Sequence, residues 1–190
     1  MRKVLICLIL FVVMSANVEA AENFGIVDLM SRVDITNMSD EHIEMGQGAS
    51  DMIAKKLIRE ADISVINMTS DAMRARLDEV YFQLTQGICT EFKDYDCDYI
   101  IYGYLMNLTV SEGKRIAERS EAVHVDLSVR IIDTKTGKCV FVAAGSGKSK
   151  SRNYGVFKYR IGQKNFSEEE LHSAMEEATD KIVELVKKNI

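Results

Sequence analysis

The chain has 190 residues, 47% of them hydrophobic and 28% charged, with a formal net charge of -5. That balance fits one ordinary globular domain with a core of its own. The absence of proline and tryptophan means that no linker is stiffened by proline and no prolyl isomerisation slows folding.

Arg2 and Lys3 precede an apolar run, Val4 to Met14, and Val18-Glu19-Ala20 places small residues at the positions a signal peptidase reads. This is the three-part pattern of a secretory signal peptide, and the run is too short for a membrane-spanning helix. Residues 1–20 are therefore expected to be removed on export, leaving residues 21–190 as a single domain. Cys7 follows Ile6 near the start of the run, the wrong place for lipid attachment, so no lipid anchor is expected. Export permits disulfides. Seven residues separate Cys89 from Cys97, which allows a local bridge, and the alternative is that Cys89, Cys97 and Cys139 are three partly buried thiols.

Phe24–Leu29 reads as a short strand. Asp40–Glu60 carries Ile43, Ala49, Met52, Ile53, Leu57 and Ile58 at helical spacing, with Gly46 and Gly48 weakening its first turns. Ile63–Asn67 is a short β-rich run. Ser70 or Asp71 caps a helix with a stripe of Met73, Leu77, Val80, Tyr81 and Leu84, stopped by Gly87. Tyr99–Leu105 is a strand.

From Ala122 to Asp133, Val123, Val125, Leu127, Val129 and Ile131 alternate with His124, Asp126, Ser128 and Arg130. Period two sets the first group on a core face and the second towards water or a partner. Thr134–Gly137 turns the chain, and Lys138–Gly145 returns as the second strand of a hairpin. Ser167 and Glu170 form a capping box for a last helix with a buried stripe of Leu171, Ala174, Met175, Ala178, Ile182, Leu185 and Val186. The predicted order is β-α-β-α-β-β-β-α, an α/β (α+β sandwich) fold with a mixed sheet and a C-terminal helix packed on it.

Several constellations imitate sites. Gly145-Ser146-Gly147-Lys148-Ser149 resembles the end of a phosphate-binding loop, but Val142 stands where the first glycine is needed and no helix follows. It reads instead as the flexible exit of a strand. His124, Asp126 and Ser128 share a strand face, but residues two apart are roughly 7 Å apart, too far for a working triad. His172 and Glu176 lack a third metal ligand, and Asp94, Asp96 and Asp98 lack the glycine and glutamate of a calcium loop. Catalytic residues, metal, cofactor and small-molecule substrate are all expected to be absent.

CDYIIYGYL (97–105), VHVDLSVRIIDTKTGKCV (123–140) and SEEELHSAMEEATDKIV (167–183) together resemble the CsgG family of bacterial curli assembly and export proteins. The core is also similar to the N-terminal domain of TolB. The resemblance covers most of residues 24–190 and rests on the order of elements and the IIDTKTGK hairpin. It implies a non-enzymatic protein of the periplasm or outer cell envelope that oligomerises and binds protein partners. Its alternative is a monomeric periplasmic adaptor or activator that binds one partner without forming a pore.

The pore-forming relatives extend two hairpins into a membrane. Here the first insertion, VSEGKRIAERSEA, carries charge on six of thirteen residues. It has no apolar set for lipid, so that hairpin is expected to be absent. The second, Lys148–Phe166, falls in a stretch with no acid between Asp133 and Glu168. Lys148, Lys150, Arg152, Lys158, Arg160 and Lys164 alternate there with Tyr154, Phe157 and Tyr159. This basic-aromatic patch suits anionic lipid head groups, cell-wall polymers or an acidic partner, and the bland alternative is a solvated hairpin. Export argues against nucleic acid.

Overall fold

The computed structural model describes residues 22–32, 39–61, 63–115, 118–151, 159–161, 164–166 and 168–189. The expected signal peptide and residues Arg152, Tyr154, Phe157 and Lys158 lie outside them. The elements are β1 (Asn23–Ile26), β2 (Met30–Ser31), α1 (Ser39–Ala61), β3 (Ser64–Asn67), α2 (Asp71–Arg74), α3 (Leu77–Thr85), β4 (Tyr99–Arg115), β5 (Glu118–Asp133), β6 (Cys139–Ser151), β7 (Tyr159–Ile161), β8 (Lys164–Phe166) and α4 (Glu168–Asn189).

Six strands form one mixed sheet in the order β3-β1-β4-β5-β6, with β2 also paired to β4. β1 lies parallel to both β3 and β4, while β4–β5 and β5–β6 are antiparallel. β1 is joined to β3 through α1, and β3 to β4 through α2 and α3, so β1 ends between its two parallel partners; parallel neighbours require crossovers of this kind.

Each face of the sheet has its own core. On one, α1 and α4 cover Phe24, Ile26, Ile101, Leu105 and the five inward residues of β5. On the other, α2 and α3 cover Val27, Ile100, Tyr102 and Ile132. Tyr81 of α3 is 2% exposed; its hydroxyl shares its one proton between the Asp28 and Gly103 carbonyls and accepts from the Gly103 N–H. That one side chain stitches the helix to β1 and β4, and burial drives its pKa upward.

Four differences from the sequence reading have local causes. The second helix is broken at Ala75–Arg76; its first turn is capped by Ser70, whose Oγ accepts from the Met73 N–H. Gly46 is no weak point in α1, because a Cβ there would strike the Leu29 carbonyl oxygen. Ser50 seals the same approach, donating to the Gly46 carbonyl and accepting from the Leu29 N–H.

The first hairpin, expected to be absent, is present. β4 and β5 run on as an antiparallel ribbon through Val110↔Val123 to Arg115↔Glu118. The residues there, charged at Glu112, Lys114, Arg115, Glu118, Arg119 and Glu121, show no apolar alternation, so the sequence carried no strand signal. Finally, the glycine-rich stretch is regular strand within β6, not a flexible exit. Gly145 and Gly147 face α4, and a Cβ on either would strike the carbonyl oxygens of Ala178 and Ala174 respectively.

Candidate interaction surface

β5 sets the pattern. Val123, Val125, Leu127, Val129 and Ile131 are at most 1% exposed, and His124, Asp126, Ser128 and Arg130 take the other face as predicted. Among the described residues the α2–α3 layer covers that face over β1, the start of β4 and Ile132, while His124, Asp126 and Ser128 are partly exposed and Arg130, Val142, Ala144, Ser146 and Lys148 are exposed. Register builds rows across it: Thr109, His124 and Lys148; Asn107, Asp126 and Ser146; Tyr104, Ser128 and Ala144; Tyr102, Arg130 and Val142.

Asp126 is the polar centre. It accepts from Asn107 Nδ2 at 3.1 Å on one oxygen and from Ser146 Oγ at 2.6 Å on the other, and His124 Nε2 lies 3.2 Å from that second oxygen. The expectation that His124 and Asp126 stand too far apart is corrected: their side chains lean together across the 7 Å of backbone. Yet Ser128 is not in the cluster, and Ser146 binds the carboxylate rather than the imidazole. A hydroxyl that spends its proton on an acid is not activated by a base. Ser146 and Asn107 were not foreseen; strand register was the signal that could have found them.

Two arginines edge the open face. Arg130 meets the buried Tyr102 hydroxyl, which raises the guanidinium pKa, and Arg32 lies 3.8 Å over the Tyr104 ring.

Of the basic-aromatic residues, Lys148 and Lys150 are exposed on β6. Tyr159, Arg160 and Lys164 fall in the β7–β8 hairpin, in the register Tyr159↔Phe166, Arg160↔Asn165 and Ile161↔Lys164. β8 lies against β4 and β5.

Cys89, Cys97 and Cys139 are free thiols in this structure. Cys89 and Cys97 pack against the same core cluster, and burial raises both pKa values, whereas Cys139 is exposed. No group of three metal-binding side chains occurs among the described residues, and no described helix is long and apolar enough to cross a membrane.

Residues 102–190 match the model of the family described as Curli production assembly/transport component CsgG. No curated protein matches the chain. Among solved structures, the hypothetical protein CT253 from Chlamydia trachomatis is 12% identical, with 89% of this chain and 98% of that chain covered and a TM-score of 0.56. That likeness shows the fold alone. The lipoprotein GNA1162 from Neisseria meningitidis is 15% identical over 70% of this chain and 87% of that one, with a TM-score of 0.48. The PelC dodecamer from Paraburkholderia phytofirmans is 14% identical over 88% and 86%, with a TM-score of 0.46. From Tyr102 through the long hairpin to the last helix, this chain is similar to the CsgG family.

Proposed function

We propose that this is an exported, non-enzymatic protein of the bacterial cell envelope, of CsgG type, that works by oligomerising and binding other proteins. The observation that carries the reading is the CsgG match over residues 102–190, the part of the chain that builds the open sheet face and the helix behind it. The chemistry of that face supports it: Asp126 is saturated by Asn107, Ser146 and His124, which leaves a binding surface rather than a nucleophile beside a base.

The Lys148–Phe166 segment is the contact with anionic head groups or an acidic envelope partner. Its residues in this role are Lys148, Lys150, Arg152, Tyr154, Phe157, Lys158, Tyr159, Arg160 and Lys164. In the oxidising compartment reached by export, Cys89 and Cys97 are the pair to join. Lys158→Glu with Arg160→Glu is expected to abolish pelleting with vesicles of anionic lipid, and unchanged pelleting removes the membrane role of this segment.

The polar β4–β5 ribbon favours a second form of the reading, a periplasmic adaptor that makes no pore. Ser111, Gly113 and Arg115 alternate with Glu112 and Lys114, and neither set is apolar enough to face lipid. A stoichiometric soluble complex with one envelope protein would select this form over the oligomer.

A further inference from the structure

β6 is the last strand of the sheet, and its outer edge is guarded along only half its length. Near the C-terminal end, α4 reaches over that edge. Lys181 Nζ donates to the Ser146 carbonyl at 2.5 Å, the Lys148 N–H donates to Glu177 Oε2 at 2.9 Å, and Lys181 and Glu177 pair at 2.7 Å. An exposed edge is a template for another strand, and here one ion pair on the helix occupies the template.

Those two bonds also fix the direction of the backbone. The peptide groups of Ser146 and Lys148 point away from β5, and in an antiparallel strand every second residue shares that direction. The N–H and C=O groups of Val142 and Ala144 therefore point out of the same edge. Among the described residues no side chain reaches them. The reason lies on α4: Glu177, Lys181 and Leu185 follow one another every four residues on one face. Where the next capping group would stand, Leu185 has none to offer. Beside the unguarded half, Val140 and Val142 are 53% and 54% exposed, and Arg130, opposite Val142, is exposed.

The geometry points to the Val140–Ala144 edge of β6 as a docking site for an extended segment of a partner protein, added as a seventh strand. Such a segment presents apolar side chains on the Leu185 side and, at the alternate positions, glutamates whose methylenes cover Val142 while their carboxylates reach towards Arg130, which is in register with Val142. Charge selects this occupant over a second copy. Lys138 and Arg130 flank the edge, the sequence from 134 to 167 holds no acid, and two identical edges would bring these cations together. On α4 nearby, Lys181 is matched by Glu177, and Lys187 and Lys188 outnumber Glu184. This inference rests on the protein-binding reading above but uses a surface apart from the Lys148–Phe166 segment.

The test is amide hydrogen exchange, read by NMR on residues 21–190, with a blocked hexapeptide of alternating valine and glutamate as probe. At a peptide concentration about ten times its Kd, exchange at Val142 and Ala144 should slow ~10-fold. The same peptide N-methylated at alternate amides should have no effect, and Ala144→Pro, which deletes one outward N–H, should abolish protection. Lys158→Glu with Arg160→Glu should leave protection intact, so failure of the basic segment and failure of the edge are read separately. Unchanged exchange at millimolar peptide, or equal protection by the N-methylated peptide, overturns the site. Protection that rises with protein concentration alone assigns the edge to a second copy and overturns the occupant.

Discussion

Gly145 and Gly147 stand where β6 and α4 touch backbone to backbone, opposite Ala178 and Ala174. Together the four small residues set the distance between sheet and helix. Gly147→Ala forces the helix or strand to shift and is expected to lower stability by about 1–3 kcal/mol in urea denaturation. Gly48→Ala is the opposite case, since nothing lies within 4 Å of its added methyl and α1 gains helix propensity. It should raise stability by about 0.5–1 kcal/mol. Asp28 makes a comparable pair of outcomes with Arg74. The carboxylate is 2% exposed, Oδ2 accepts from Arg74 Nε and Nη2, and Oδ1 has no partner. Arg74→Ala strands a buried charge and should cost about 3 kcal/mol, more than Asp28→Ala, whose guanidinium is partly solvated and keeps Asp71 as a partner. Equal losses in the two variants would show that the carboxylate is relieved some other way.

At the scale of elements, legibility followed burial. β5 was readable because one of its faces is core and the other is open, so its alternation is strict. The ribbon from Ser111 to Glu121 was not, because six of its eleven residues are charged and no apolar period runs through it. The break at Ala75–Arg76 was hidden because Met73 and the stripe from Leu77 keep helical spacing across it. In the surface, the outward set of β5 was legible from period two, while Ser146, Asn107, Glu177 and Lys181 required the register. The turns and the α4 cap also carry the pH response. Lys135 holds the Asp98 carboxyl below its usual range; the Thr136 and Lys135 N–H groups do the same for Asp133. Lys181 and the Lys148 N–H lower Glu177. Each folded pKa is depressed, so this stability is complete above about pH 5 and is lost as pH falls through the lowered values. Tm should fall steadily from there towards pH 3, and Lys135→Ala should flatten the slope. At the alkaline end, Cys89 and Cys97 are raised by burial and Lys135 by Asp98. Their contribution is full below the unfolded pKa values and fades as pH rises through the folded ones.

For the whole molecule, asymmetry matters most. One face of the sheet is closed by α1 and α4, whose tie includes the ion pair of buried Lys56 with Asp180 and its bond to the Glu176 carbonyl. Among the described residues the other face is closed over β1, the start of β4 and Ile132, and its exposed part carries Arg130, Lys148 and Lys150. An unequal pair of faces suits head-to-tail contacts between copies, which close into rings when the rotation allows. Light scattering on purified residues 21–190 tests this account most directly. The account predicts a mass at least twice the chain's own that falls when Arg130 and Lys148 are reversed to glutamate. A monomer at every concentration up to the solubility limit would contradict it.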